Sequence, residues 1–330
     1  MLEHGGRLRA AAKQFGIPLA EWMDLSTGIA PAGLPIPPIP TAVWNRLPEP
    51  DDELREAAAA YYGVPHALPV AGSQAAIQAL PQIRRQARIG IVSPCYAEHA
   101  HAWKREGHSL LELTEAGVPR AIERLDVLLV INPNNPTGRL IPSERLLEWH
   151  ARLAERNGWL IVDEAFMDCT PTASLAPFCP RPGLVVLRSF GKFFGMAGAR
   201  LGFVLADGDL SHRLERLLGP WTVNGPTRHV AIHQLRDVAA QQRQRDSLHQ
   251  AGARLASLLT EHGLPPTGGC PLFQWCVTRR AEKLHRFLAA QGILVRLFHQ
   301  PASVRFGLPA DEAAWTRLDR ALHAFQESEA

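Results

Sequence analysis

No stretch of this sequence approaches the roughly 20 consecutive apolar residues that a membrane-crossing helix needs. Its opening segment, MLEHGGRLRAAAKQFG, holds no apolar core of the signal-peptide kind. Excess charge is missing too. With 35 basic and 32 acidic side chains the net charge is +3, too small a bias to argue for a nucleic-acid or membrane partner. Cysteines are few and odd in number: Cys95, Cys169, Cys179, Cys270 and Cys276. No pair has the CxxC spacing of a zinc or redox site, so no metal centre is expected and a reduced, cytoplasmic setting is. Two nucleotide-binding patterns are also absent. Gly191-Lys192 could end a P-loop, but position 186 is valine where glycine is required, and Phe193 follows where serine or threonine is required. The dinucleotide pattern GxGxxG does not occur.

What is present is ordinary for a globular chain: 330 residues, 46% hydrophobic and 20% charged. That length can bury one large core and a smaller lobe. A short helix is expected over 5–15. APAGLPIPPIPT (30–41) carries five prolines and cannot form regular structure, so it reads as an extended arm lying on another surface. DDELREAAAAYYG and QAAIQALPQI read as helices, the first with acidic residues at its N-terminus. Short apolar runs then alternate with helical stretches: RIGIV, SLLEL, DVLLVI, WLIVDEA, LVVLRSF and ARLGFVLA. Continuous apolar runs with helices between them predict a mainly parallel sheet buried on both faces, hence α/β architecture. From about 227 the texture turns to long helix and then alternates again through FQWCV, ILVRLF and SVRFG. The expected division is a large domain over 44–226. A smaller α+β domain is expected from 1–43 and 227–330.

Three motifs carry chemistry. In SFGKFFGMAGARLG (189–202), Lys192 follows a buried strand among small and aromatic residues. Desolvation there lowers a lysine's pKa and suits it to form a Schiff base. NPNNPTG (132–138) follows the strand DVLLVI, at the carboxyl end where open α/β sheets bind ligands. Asn135 can present an amide into that crevice. In VDEAF (162–166), Asp163 ends a buried strand, and a carboxylate there needs a partner. A pyridinium N–H would be one.

In this order and spacing the three motifs resemble the fold-type I enzymes dependent on pyridoxal 5'-phosphate, specifically aminotransferase classes I and II. The resemblance covers nearly the whole chain. It implies that Lys192 carries the cofactor as a Schiff base and shuttles a proton, that Asp163 pairs with the pyridine nitrogen, and that Asn135 bonds the ring 3-hydroxyl. It implies that Tyr96 in SPCYAEH stacks on the ring. Ser73, Gln74, Ser189 and Arg200 would hold the cofactor phosphate, the first two by backbone amides at a helix start. Near the C-terminus, Arg305 in SVRFGLP matches the family's arginine for the substrate carboxylate, whose planar fork suits it. Arg296 matches one that lies near a substrate phosphate in relatives acting on phosphorylated substrates.

The start of the chain narrows the resemblance. His4-Gly5-Gly6, a helix, then DLSTGIAPAGLP is similar to the amino terminus of the threonine-phosphate decarboxylases of cobalamin biosynthesis, and GPWTVNGP (219–226) is similar to their Pro-Trp-x-Val-Asn pattern. This implies a phosphorylated amino acid as substrate, with His4, Gly5, Gly6 and Arg296 near its phosphate, and a homodimer. Phe166 stands where most class I/II aminotransferases have tyrosine, as is common in the decarboxylase group. Leu47 stands where relatives usually have a tyrosine that reaches the neighbouring subunit's cofactor. STGIAP lacks the asparagine of many relatives' Asn-Pro. Two other activities fit the same residues: an aminotransferase acting on histidinol phosphate or another amino acid, and, more remotely, a non-enzymatic cofactor-binding regulator.

Overall fold

The computed structural model describes residues 4–328. The chain forms two compact units. Of the described residues, the larger holds Gly33–Asn135 and Leu140–Gln244; the smaller takes residues 4–32, Pro136–Arg139 and 245–328.

In the larger unit seven strands form one sheet, in the spatial order Leu68–Val70, Gly202–Leu205, Leu184–Ser189, Trp159–Asp163, Val127–Ile131, Arg88–Val92 and Ser109–Leu113. The last five pair in parallel, and Gly202–Leu205 runs antiparallel to both its neighbours. The three central parallel strands are buried along their whole length. This is why their sequences show no alternation: helices cover both faces, so every side chain meets apolar contact.

The arm that precedes this sheet has no regular structure over 33–40. It docks instead on the helix Gly225–Arg236. The Gln234 amide donates to the carbonyls of Leu34 (3.1 Å) and Pro35 (3.2 Å), and a His229 ring nitrogen lies 3.1 Å from the Pro38 carbonyl. These bonds use carbonyls that a proline-rich segment cannot pair within itself. They also explain why the boundaries differ from the expected ones: residues 33–43 and 227–244 group with the larger unit.

The smaller unit contains a five-stranded sheet in the order Met23–Leu25, Ile293–His299, Ala302–Gly307, Phe273–Val277 and Gly268–Cys270. Only the first pair is parallel. The helices Ala281–Ala290 and Glu312–Glu327 belong to the same unit; their apolar faces bury Leu284, Leu288, Leu318, Leu322 and Phe325. Asp311 caps the second of them, accepting from the Ala314 N–H at 2.8 Å. Among the described residues no helix is long and apolar enough to cross a membrane.

Candidate active site

Asp163 pairs with Leu187 on one side and Ile131 on the other. The carboxyl ends of three adjacent parallel strands therefore lie side by side. They deliver Asn132–Asn135, Asp163 and the Ser189–Lys192 turn to one edge of the sheet, where open α/β folds bind ligands. The loop after Ile131 is tied down. The Asn132 side chain accepts from the Ile141 N–H (2.7 Å) and donates to its carbonyl (3.1 Å), while Asn134 donates to the Pro94 carbonyl (2.8 Å). Asn135 follows, half-buried.

Asp163 is 3% exposed. One carboxylate oxygen accepts the Ala165 N–H at 3.0 Å, and the other lies 2.7 Å from Nε2 of His99, itself buried. The sequence reading missed His99. It sits three residues after Tyr96 on the helix Ala97–Arg105, one turn on, so both reach the same side. A buried histidine on a helix carries no spacing signature of its own. The Tyr96 ring meets the His99 ring edge-on at 6.2 Å. Its hydroxyl donates to the Gln74 side chain (3.2 Å), which in turn donates to Glu98 (2.9 Å). The Gln74 side chain thus steadies Tyr96, and only its backbone remains for the anion-binding role expected of it. Burial chiefly, then Glu98 and Asp163, push the Tyr96 phenol up to about 12.

A cationic corner lies at the start of the helix Ser73–Ala79. Gly72 has φ 75° and ψ 155°, a conformation open essentially to glycine alone. A Cβ there would stand 2.7 Å from Nη2 of Arg200. The guanidinium therefore lies against the Gly72–Ser73 backbone because a side chain is missing. Gly202 serves the same corner from below, since a Cβ on it would come within 2.5 Å of the Ser73 nitrogen. Ser189 pairs with Gly202 across the sheet, so Ser189 lies near the same corner as Ser73 and Arg200. Arg200 adopts φ 57° and donates to the Ala197 carbonyl at 2.9 Å.

Lys192 is half-buried. Its Nζ lies 5.8 Å from the centre of the Phe166 ring, within the range of a cation–π contact. Phe166 is buried at 4% exposure, three residues past Asp163.

The candidate substrate residues belong to the smaller unit. Arg305 is 5% exposed, donates to the Ser26 carbonyl at 2.8 Å and packs 5.0 Å from the Phe273 ring centre. Ser26 also accepts the Gly6 N–H at 2.7 Å through its hydroxyl, which donates to Asp24 at 2.5 Å. Gly6 and Arg305 are thereby joined through one residue, Ser26, that the sequence reading did not single out. Arg296 stands directly opposite Arg305 on the neighbouring strand. Burial mainly, with Arg296 adding to it, draws the Arg305 guanidinium down to about 10. Two neighbouring arginines, one of them buried, form a setting in which an anion is stabilised. Gly5 is half-buried beside Gly6, and His4 is exposed. Among the described residues no cluster of three or more His, Cys, Asp or Glu side chains could hold a metal ion.

The family model "aminotransferase class I and II" matches residues 41–323. A threonine-phosphate decarboxylase of Pseudomonas aeruginosa is 62% identical over 327 residues, 99% of each chain. One from a Sinorhizobium species is 39% identical over 330 residues, 97% of each. Among solved structures, a histidinol-phosphate aminotransferase from Sinorhizobium meliloti in complex with pyridoxal-5'-phosphate superposes with a TM-score of 0.86 at 20% identity. It covers 100% of this chain and 96% of the other. The chain has the fold-type I architecture and belongs to the class I and II aminotransferase family.

Proposed function

We propose that this chain is a pyridoxal-phosphate-dependent decarboxylase. It converts L-threonine O-3-phosphate to (R)-1-amino-2-propanol O-phosphate and carbon dioxide, a step of cobalamin biosynthesis. The observation that carries this reading is the 62% identity, end to end, with a threonine-phosphate decarboxylase.

The residues fit the cofactor. An aldehyde needs an amine, and Lys192 offers Nζ at the sheet edge for a Schiff base. A pyridine N–H needs a fixed carboxylate, and Asp163 is held from two sides by His99 and the Ala165 N–H. A phosphate needs cations and N–H groups, and Gly72 gives up its side chain so that Arg200 can lie beside the first turn of a helix. The Ser73 and Gln74 backbone and the Ser189 hydroxyl complete that corner. Asn135 would offer its amide to the ring hydroxyl, with no tyrosine at 166 to share the task, and Tyr96 would pack on the ring.

When bound, the cofactor supplies an electron sink for the pair released from the Cα–carboxylate bond. Arg305 receives the substrate carboxylate, and Arg296, with Gly5, Gly6 and His4, receives its phosphate. Binding at those remote groups fixes which bond at Cα breaks. Lys192 Nζ would be the group that returns a proton to the substrate Cα. The assembly is a homodimer; Trp44, Leu47 and Trp221, each at least 60% exposed on the larger unit, support it. Five free cysteines support a reducing cytoplasm.

The test is incubation of the cofactor-loaded protein with L-threonine O-3-phosphate, without a keto acid. Stoichiometric carbon dioxide and amino-propanol phosphate are expected. Turnover that requires a keto acid and releases no carbon dioxide would make the chain an aminotransferase instead.

A further inference from the structure

Behind the sheet edge lies a sealed cluster of charge that the proposed chemistry does not use. Arg188, 2% exposed, donates through Nη1 to Glu164 (2.6 Å) and Ser174 (3.0 Å), and through Nη2 to Asp168 (2.6 Å). Glu164 and Asp168 are fully buried. The second Glu164 oxygen accepts the Leu175 N–H at 2.7 Å. Tyr61 donates to Asp168 at 3.0 Å, and the guanidinium lies 4.7 Å over the Tyr62 ring. Burial disfavours the charge on Arg188, but the two carboxylates outweigh it and hold the guanidinium above its ordinary range.

Stability alone does not call for such a cluster, because apolar residues of equal volume often serve as well. Its members instead share one property. Each of the three charged groups stands within two residues of Asp163, Ser189 or Phe166. Glu164 follows Asp163. Arg188 precedes Ser189, and successive strand residues face opposite sides of a sheet. Asp168 lies two residues past Phe166, whose ring faces Lys192. Tyr61 packs on Phe194 at 5.7 Å, and Phe194 stacks on Phe190 at 4.2 Å, so the rings that bracket Lys192 in the sequence are braced from the same cluster.

The geometry points to Arg188, Glu164 and Asp168 as positioning residues: their ion pairs lock the 163–168 turn to the strand Leu184–Ser189 and so set where Asp163, Phe166 and Lys192 stand. This rests on the proposed roles of Lys192 and Asp163. Of the three, Arg188 is the hub, because its planar fork spans both carboxylates in a way an ammonium cannot.

Asp168→Asn and Glu164→Gln each remove one charge with little change of volume, and Tyr61→Phe removes one hydroxyl. Leu153→Ala, in the buried face of the helix Ser143–Ala154, lowers stability without touching the cluster and serves as the control. The readouts are visible circular dichroism per bound cofactor, which reports its orientation, the rate of cofactor loss, and kcat and KM separately. Expected for Asp168→Asn and Glu164→Gln are altered visible ellipticity and a kcat lowered roughly 10- to 100-fold, with KM changed less than threefold. Tyr61→Phe should move the same way by less, and Leu153→Ala should leave ellipticity and kcat at wild-type values. If all three cluster variants match Leu153→Ala, keeping ellipticity and kcat while melting earlier, the cluster is only structural. A failure of the cofactor reading itself looks different: the wild-type protein would show no visible ellipticity, or Lys192→Ala would keep it.

Discussion

Replacing Gly72 with alanine separates the proposed phosphate corner from the rest of the site. The backbone at 72 stands at φ 75° and ψ 155°, which costs a residue with a Cβ about 1–3 kcal/mol. The new methyl would also stand 2.7 Å from Arg200 Nη2, so the guanidinium must swing away. A hydrogen bond to a charged group contributes about 1.5–3 kcal/mol. At 1.4 kcal/mol per factor of ten, cofactor affinity should fall about 10- to 150-fold. The assay is titration of apo-protein with pyridoxal phosphate, followed by tyrosine and tryptophan fluorescence, beside thermal denaturation of the apo-protein. Arg200→Met should weaken binding to a similar extent without the backbone cost. The pair of variants therefore separates the two effects. An affinity for Gly72→Ala within twofold of wild type, with the melting temperature lowered, would refute the reasoning, because the strain would be real and the displaced cation irrelevant.

Further outcomes follow from particular contacts. His99→Phe should leave a buried Asp163 oxygen without its partner, lowering stability by about 1–3 kcal/mol and kcat by about tenfold, read by denaturant titration and steady-state rates. Arg188→Met should cost about 3–5 kcal/mol, because two buried carboxylates lose their cation; an unchanged urea midpoint contradicts it. Arg305→Lys should reduce kcat/KM for the phosphorylated amino acid about 10- to 100-fold through loss of the planar fork, with cofactor affinity unchanged. Burial pushes the thiols of Cys95, Cys179, Cys270 and Cys276 up to about 12. At pH 8 roughly one in 10⁴ of each is thiolate, so iodoacetamide should leave them unmodified in the folded chain and alkylate them in urea, as read by mass spectrometry.

The central strands were legible because DVLLVI, WLIVD and LVVLRS are apolar on both faces, a pattern that helices on an open sheet alone explain. The three-residue strands Met23–Leu25, Leu68–Val70 and Gly268–Cys270 were not. They lie at sheet edges, and Pro69 and the Gly268-Gly269 pair argue locally against a strand. The proline-rich arm was readable as an arm, but its docking surface was not, since Gln234 binds backbone carbonyls that any sequence would supply. At the site, Lys192, Asp163 and Asn135 stood out because polar side chains occupy the ends of buried strands and the loops after them, whereas Arg200 was placed by the family resemblance. His99 and Ser26 did not stand out, because their roles exist only once distant segments meet. The Glu164–Arg188–Asp168 cluster was hidden for the same reason: its charges are 20 and 24 residues apart in the chain.

The most direct measurement is borohydride reduction of the cofactor-loaded protein followed by peptide mass mapping. A single reduced pyridoxyl-phosphate adduct is expected on Lys192, and none in Lys192→Ala. An adduct on another lysine, or no adduct at all, would contradict the assignment of this chain's reactive amine.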